Sequence, residues 1–100
     1  LSLPSPPMVV GLASIEIHIP ESGSLKSKRH FLKGIKDRVK NRFNVSIAEV
    51  DHNDLWQRTT LGVSVVANQR QFANQVLSGV VEFIDKENGV QILNYSIELF

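Results

Sequence analysis

Hydrophobic periodicity switches between two residues and about 3.6 residues four times along this chain, which constrains its fold more than any other feature. Ala13, Ile15, Ile17 and Ile19 alternate with Ser14, Glu16 and His18, the pattern of a strand with one wet face. Pro20 and Glu21-Ser22-Gly23 end it. Ser24 then caps a helix expected from about Leu25 to Arg42, in which Leu25, Leu32, Ile35, Val39 and Phe43 recur at helical spacing. Phe31 widens that stripe, and Lys28 is its polar interruption.

A second strand follows, with Val45, Ile47 and Glu49 alternating against Ser46, Ala48 and Val50. The polar loop Asp51-His52-Asn53-Asp54 leads to a third strand starting near Trp56, with Leu61, Val63 and Val65 on its core face. Asn68 and Gln71 have the spacing of a capping box ahead of a second helix. Phe72, Ala73, Val76, Leu77, Val80, Phe83 and Ile84 give that helix its apolar stripe, and Gly89 is its expected C′ residue. Gln91 to Phe100 forms the last strand, with Leu93, Tyr95, Ile97 and Leu99 on one face.

The order β-α-β-β-α-β specifies an α+β, ferredoxin-like, split β-α-β plan. Two helices cover one face of a four-stranded antiparallel sheet of order 4-1-3-2, because each crossover skips one strand position and is right-handed. One such domain is expected over residues 8–100. Three of the four prolines lie in residues 1–7, ahead of the single methionine, Met8. Residues 1–7 are read as a remnant preceding a natural initiator or as a flexible tail. The uncovered sheet face would carry Val10, Leu12, Ser14, Glu16, His18, Ser46, Ala48, Val50, Gly62, Ser64 and Val66, a face apolar enough to invite a partner.

Composition narrows the chemistry. The chain of 100 residues contains no cysteine, which excludes disulfides, thiolate metal sites and a cysteine nucleophile. It has no apolar run long enough to span a membrane. A cytoplasmic protein without a membrane partner is the expectation. The net charge is only +1, yet eight of the eleven basic residues lie between Lys26 and Arg42, opposed there only by Asp37. That segment is therefore +7 and the remainder −6.

On a helical wheel Lys26, Arg29, Lys33, Lys36 and Lys40 fall in one sector of roughly 80°, beside the apolar stripe. Like charges three and four residues apart destabilise a helix by a few tenths of a kcal/mol per pair. A bound polyanion relieves that repulsion. Lys26, Lys28 and Arg29 also lie at the positive end of the helix dipole, beside the Ser24 hydroxyl, an arrangement suited to phosphate. The competing reading is a solvated lysine-rich face.

Other groupings are weaker. Asp51, His52 and Asp54, with Glu49 nearby, contain metal-ligating and acid–base side chains but match no metal motif, and Asx residues are good turn formers. No catalytic residue, cofactor or metal is assigned, and no enzymatic activity is expected. Trp56 is read as an edge or dimer anchor in preference to a base-stacking platform, and Arg58 as a cross-strand partner of Glu49 or Asp51 with a secondary role in anion binding. The central strands lack the aromatic pair of an RNA-recognition module, since Gly62-Val63-Ser64-Val65-Val66 offers no ring.

Three segments carry a family resemblance: Ser24-Leu25-Lys26-Ser27-Lys28-Arg29, Arg42-Phe43-Asn44-Val45-Ser46-Ile47-Ala48-Glu49-Val50, and Asp54-Leu55-Trp56-Gln57-Arg58. Together they resemble the YlxP-like family of small bacterial proteins of unknown function, over essentially Met8 to Phe100. The resemblance implies a ferredoxin-like fold. Members are often encoded beside genes for translation initiation factor two and ribosome-binding factor A, which implies a role near RNA or the ribosome. Position 27 is Ser where many members carry an acidic residue. The leading expectation is a small RNA-associated protein, a ribosome-assembly or translation accessory factor. Its anion-binding set is Ser24, Lys26, Lys28, Arg29, Lys33, Lys36, Lys40 and Arg58. The alternatives are a homodimeric interaction module using the open sheet face or an edge strand, and a small-ligand or metal-binding domain.

Overall fold

The computed structural model describes residues 7–100, so the expectation for residues 1–7 lies, apart from Pro7, outside the described residues. The elements are β1 (Val9–His18), α1 (Leu25–Arg42), β2 (Ser46–Asp51), β3 (Arg58–Ala67), α2 (Arg70–Asp85) and β4 (Gln91–Leu99). The sheet order is β2-β3-β1-β4, which is the expected 4-1-3-2 read from its other edge, and every pairing is antiparallel. This is the ferredoxin-like α+β architecture that the periodicity specified.

Strand alternation sorts side chains by face. Ala13, Ile15 and Ile17 of β1 pair in register with Val63, Leu61 and Thr59 of β3, and all six are buried under the helices. Leu32, Ile35 and Val39 of α1 and Ala73, Leu77, Val80 and Ile84 of α2 complete the core. Each fully buried aliphatic side chain contributes about 1.5–3 kcal/mol relative to exposure. Gly11 is required where α2 meets β1, because a Cβ there would lie 2.7 Å from Leu77 Cδ1.

Four local expectations need correction. The third strand begins at Arg58 rather than near Trp56, because residues 52–57 form a connected loop instead of extending the ladder. The N-cap of α2 is Gln69, with no side-chain cap hydrogen bond, so the Asn68–Gln71 capping box does not form. Helix α2 ends at Asp85 with Lys86 as its cap, and Gly89 instead supplies a positive φ of 82° in the turn into β4. On β4, a bulge opposite Glu16 and Ile17 places Ile92 against the core and leaves Leu93 exposed. Tyr95, on this edge strand, is exposed as well.

Candidate nucleic-acid interface

Helix α1 starts as its sequence requires. Ser24 is extended, and its hydroxyl oxygen accepts the Ser27 N–H at 3.0 Å. The Ser24 carbonyl accepts the Lys28 N–H at 3.0 Å. Capping consumes an N–H group that an anion would otherwise use, so Ser24 acts first as a structural cap.

Lys26, Arg29, Lys33 and Lys40 are exposed and Lys36 is partly so, which places all five expected ridge residues on the accessible side of α1. Lys33 Nζ donates to Asp37 Oδ2 at 2.8 Å. That hydrogen bond, with added attraction from Asp37, raises the Lys33 pKa. It also lowers the Asp37 pKa, helped by the charges of Lys33, Lys40 and Lys36. One carboxylate thus sits among three lysines and offsets only part of their charge. Beyond the ridge, Arg38 is tied to Glu87 at 2.7 Å, and Arg42 lies over the rings of Phe43 and Phe83.

Lys28 does not belong to this surface. It is 0% exposed, and its ammonium is enclosed by the β2–β3 connection. Lys28 Nζ donates to the carbonyls of His52 at 2.7 Å, Leu55 at 2.6 Å and Arg58 at 3.1 Å. Glu49 Oε2 lies 2.8 Å away as its counter-charge and accepts the hydroxyl of buried Thr59 at 2.5 Å. An ammonium has three N–H donors, and three carbonyls take them. Taking an ion from water costs several kcal/mol unless such partners compensate it. The assignment of Lys28 to anion binding is therefore corrected: its helical phase turns it inward, and no proton is left for a phosphate.

The same geometry reassigns the neighbouring polar groups. Arg58 bonds Glu16 on β1, not Glu49 or Asp51, because β1 adjoins β3 on the open face while Glu49 points to the helix side. Asp51 Oδ1 accepts the His52 N–H at 2.7 Å, which supports His52 in the left-handed region at φ 61°. Among the described residues, no three His, Asp or Glu side chains are grouped to hold a metal ion. No described helix is long and apolar enough to cross a membrane. The Lys28–Glu49 pair leaves only a trace in the sequence. A basic residue interrupts the apolar stripe of α1, an acidic one interrupts the apolar face of β2, and the two meet.

Trp56 is 56% exposed at the crest of the loop that Lys28 holds. On the uncovered sheet face, Leu12, Ser14, Ser46, Ala48, Val50 and Gly62 line a shallow concavity of about 410 Å³.

Comparison with known proteins places this arrangement in a family. The chain is 46% identical over 77 residues to the uncharacterized protein YlxP of Bacillus subtilis (strain 168), covering 77% of this chain and 84% of that protein. In shape it is similar to the de novo designed protein Foldit4, with a TM-score of 0.53, 14% identity, and coverage of 93% of this chain and 96% of that one. It is also similar to a C-terminal segment of the alpha subunit of aIF2 from Pyrococcus abyssi, with a TM-score of 0.51, 20% identity, and coverage of 91% and 49% respectively. At those identities the likeness is one of fold alone. Residues 10–97 match the model of the family described as protein of unknown function, DUF503. The chain belongs to this YlxP-like DUF503 family.

Proposed function

We propose that this protein is a cytoplasmic RNA-associated factor, acting in ribosome assembly or translation, that holds phosphates along α1. The observation that carries the reading is the accessible line of Lys26, Arg29, Lys33, Lys36 and Lys40, with Asp37 as its single internal counter-charge. Repeated cations at helical spacing match the repeated charge of a phosphate backbone, and each contact releases counterions from the nucleic acid. Ser24, Lys28 and Arg58 are left out of the contact set, since cap, loop and Glu16 already engage them.

The test is binding of RNA recovered with the protein from its host at low salt, titrated against salt concentration. The affinity should fall steeply with salt, and each lost phosphate contact should flatten the log–log slope by roughly one unit. Reversal of the ridge by Lys33→Glu with Lys36→Glu should abolish binding at physiological salt. Undiminished affinity in that variant refutes the proposal.

A second reading, a homodimer through the open sheet face, is favoured by the exposure of Leu12 and Val50 in the concavity and of Val66 on the same sheet face. Sedimentation equilibrium decides it. A strict monomer at high concentration removes this reading and leaves the first untouched.

A further inference from the structure

The sheet of this protein offers no aromatic platform, but the loop beside it does. Trp56 is the only tryptophan of the chain, and backbone groups on both sides of it are fixed. The Leu55 carbonyl accepts Lys28 Nζ at 2.6 Å, and the Leu55 N–H donates to the His52 carbonyl at 3.1 Å. On the other side, the Gln57 carbonyl accepts the Ile19 N–H at 2.8 Å. Gln57 Nε2 donates to the carbonyls of Pro20 and Ser22 at 3.1 and 3.2 Å. The indole therefore stands exposed on a backbone that is already ordered, and a ligand stacking on it meets little ordering cost.

We propose that Trp56 is a stacking platform for an unpaired base, which makes the nucleic acid bound along α1 single-stranded RNA; this inference rests on the RNA reading of that ridge. Lys28 draws the loop against the first turns of α1, from which Lys26 and Arg29 project. The loop that carries Trp56 and the start of the ridge thus lie at the same end of the domain. His18, Leu55, Gln57 and Arg58 surround the indole in a shallow concavity of about 430 Å³, open enough for a planar ring system and bordered by hydrogen-bonding groups. Arg58, the one Lys or Arg that lines this concavity, is already paired with Glu16, which leaves the uncharged face of a base as the matching group. In a duplex every base face is already stacked, so the platform distinguishes single strands from double strands. Lys28 is a positioning residue here, touching the loop and not the RNA.

The sole tryptophan reports directly on the proposal. Wild-type protein, Trp56→Ala, Trp56→Phe and the double variant Lys33→Glu/Lys36→Glu are titrated with a single-stranded oligouridylate and with a duplex RNA of equal length. The single strand should quench Trp56 emission, and Trp56→Ala should weaken single-strand binding roughly ten-fold or more, with Trp56→Phe retaining most of it. Duplex affinity should be the same in wild type and Trp56→Ala, and the lysine reversals should weaken both ligands. Thermal melts confirm folding of the exposed-site variants. If wild type binds RNA with unchanged emission, or Trp56→Ala binds the single strand as well as wild type, the stacking proposal falls and the phosphate ridge survives. If wild type binds neither RNA, both fall.

Discussion

Helix α1 carries lysines on two of its sides, and the two sets have opposite roles. Lys33, Lys36 and Lys40 project into solvent around Asp37, while Lys28 is sealed beneath the β2–β3 loop with Glu49 as its partner. Composition and propensity do not distinguish these residues. Their phase on the helix does, because a turn of 100° per residue sends Lys28 into the apolar sector and the others out of it. The comparison also separates two kinds of charge. The exposed lysines keep their hydration and remain available to a ligand. The buried ammonium has exchanged its water for three carbonyls and a carboxylate, and it organises the chain around itself.

The sharpest way to break this comparison is to remove one lysine from each side. Lys28→Met leaves Glu49 without its counter-charge and three carbonyls without a donor, and it should cost about 3–5 kcal/mol in urea unfolding. Lys36→Met should change stability by no more than about 0.5 kcal/mol while lowering RNA affinity. Equal stability of the two variants would contradict the distinction. Adding Glu49→Leu to Lys28→Met should recover only part of the loss, because the loop carbonyls still lack a donor.

A smaller effect is expected where α1 begins. Ser24→Ala frees the Ser27 N–H and should cost about 1 kcal/mol. In a chain of this size that corresponds to a melting temperature lower by roughly 4–8 °C. RNA affinity should change little, since the cap lies outside the proposed contact set.

The smallest effect belongs to the exposed pair. The folded-state pKa of Asp37 is lowered, first by the hydrogen bond from Lys33 and then by the charges of Lys33, Lys40 and Lys36. Its contribution to stability is therefore present above the ordinary value of 3.8 and is lost as the pH falls through the lower folded-state value. Asp37→Asn should melt slightly below wild type at neutral pH, and the two melting curves should converge at acidic pH. The same change removes the negative charge that offsets the ridge and should tighten RNA binding. An unchanged or weaker affinity would place the phosphates elsewhere.

Much of the architecture is legible in the sequence. Period-two alternation in β1 and the stripe of Leu32, Ile35 and Val39 each identify one buried face, and burial strongly constrains register because a one-residue slip exposes every core side chain. The misjudged positions share a cause. The Asn68–Gln71 capping box and the placement of Gly89 follow local motifs that neighbouring turns override. Leu93 fits its alternation until a bulge, decided by pairing with β1, shifts the register. For Arg58, proximity in sequence points to Glu49 or Asp51, whereas strand order puts β1 and Glu16 beside it.

The sequence by itself determined the element order, the buried faces of β1, β2 and β3, the extent of α1 and the ridge of five cations, because these depend on periodicity within short windows. It also carried the family motifs that joined Lys28, Glu49 and the Trp56 segment without saying why they belong together. Helical phase turns Lys28 inward, but only tertiary structure decided how its charge is satisfied there, since desolvating an ammonium requires carbonyls of His52, Leu55 and Arg58 at least 24 residues away. Such partners converge only when β2, β3 and the start of α1 meet at one end of the sheet. The near-neutral net charge thus resolves into an exposed ridge set by helical phase and a buried charge fixed by the fold.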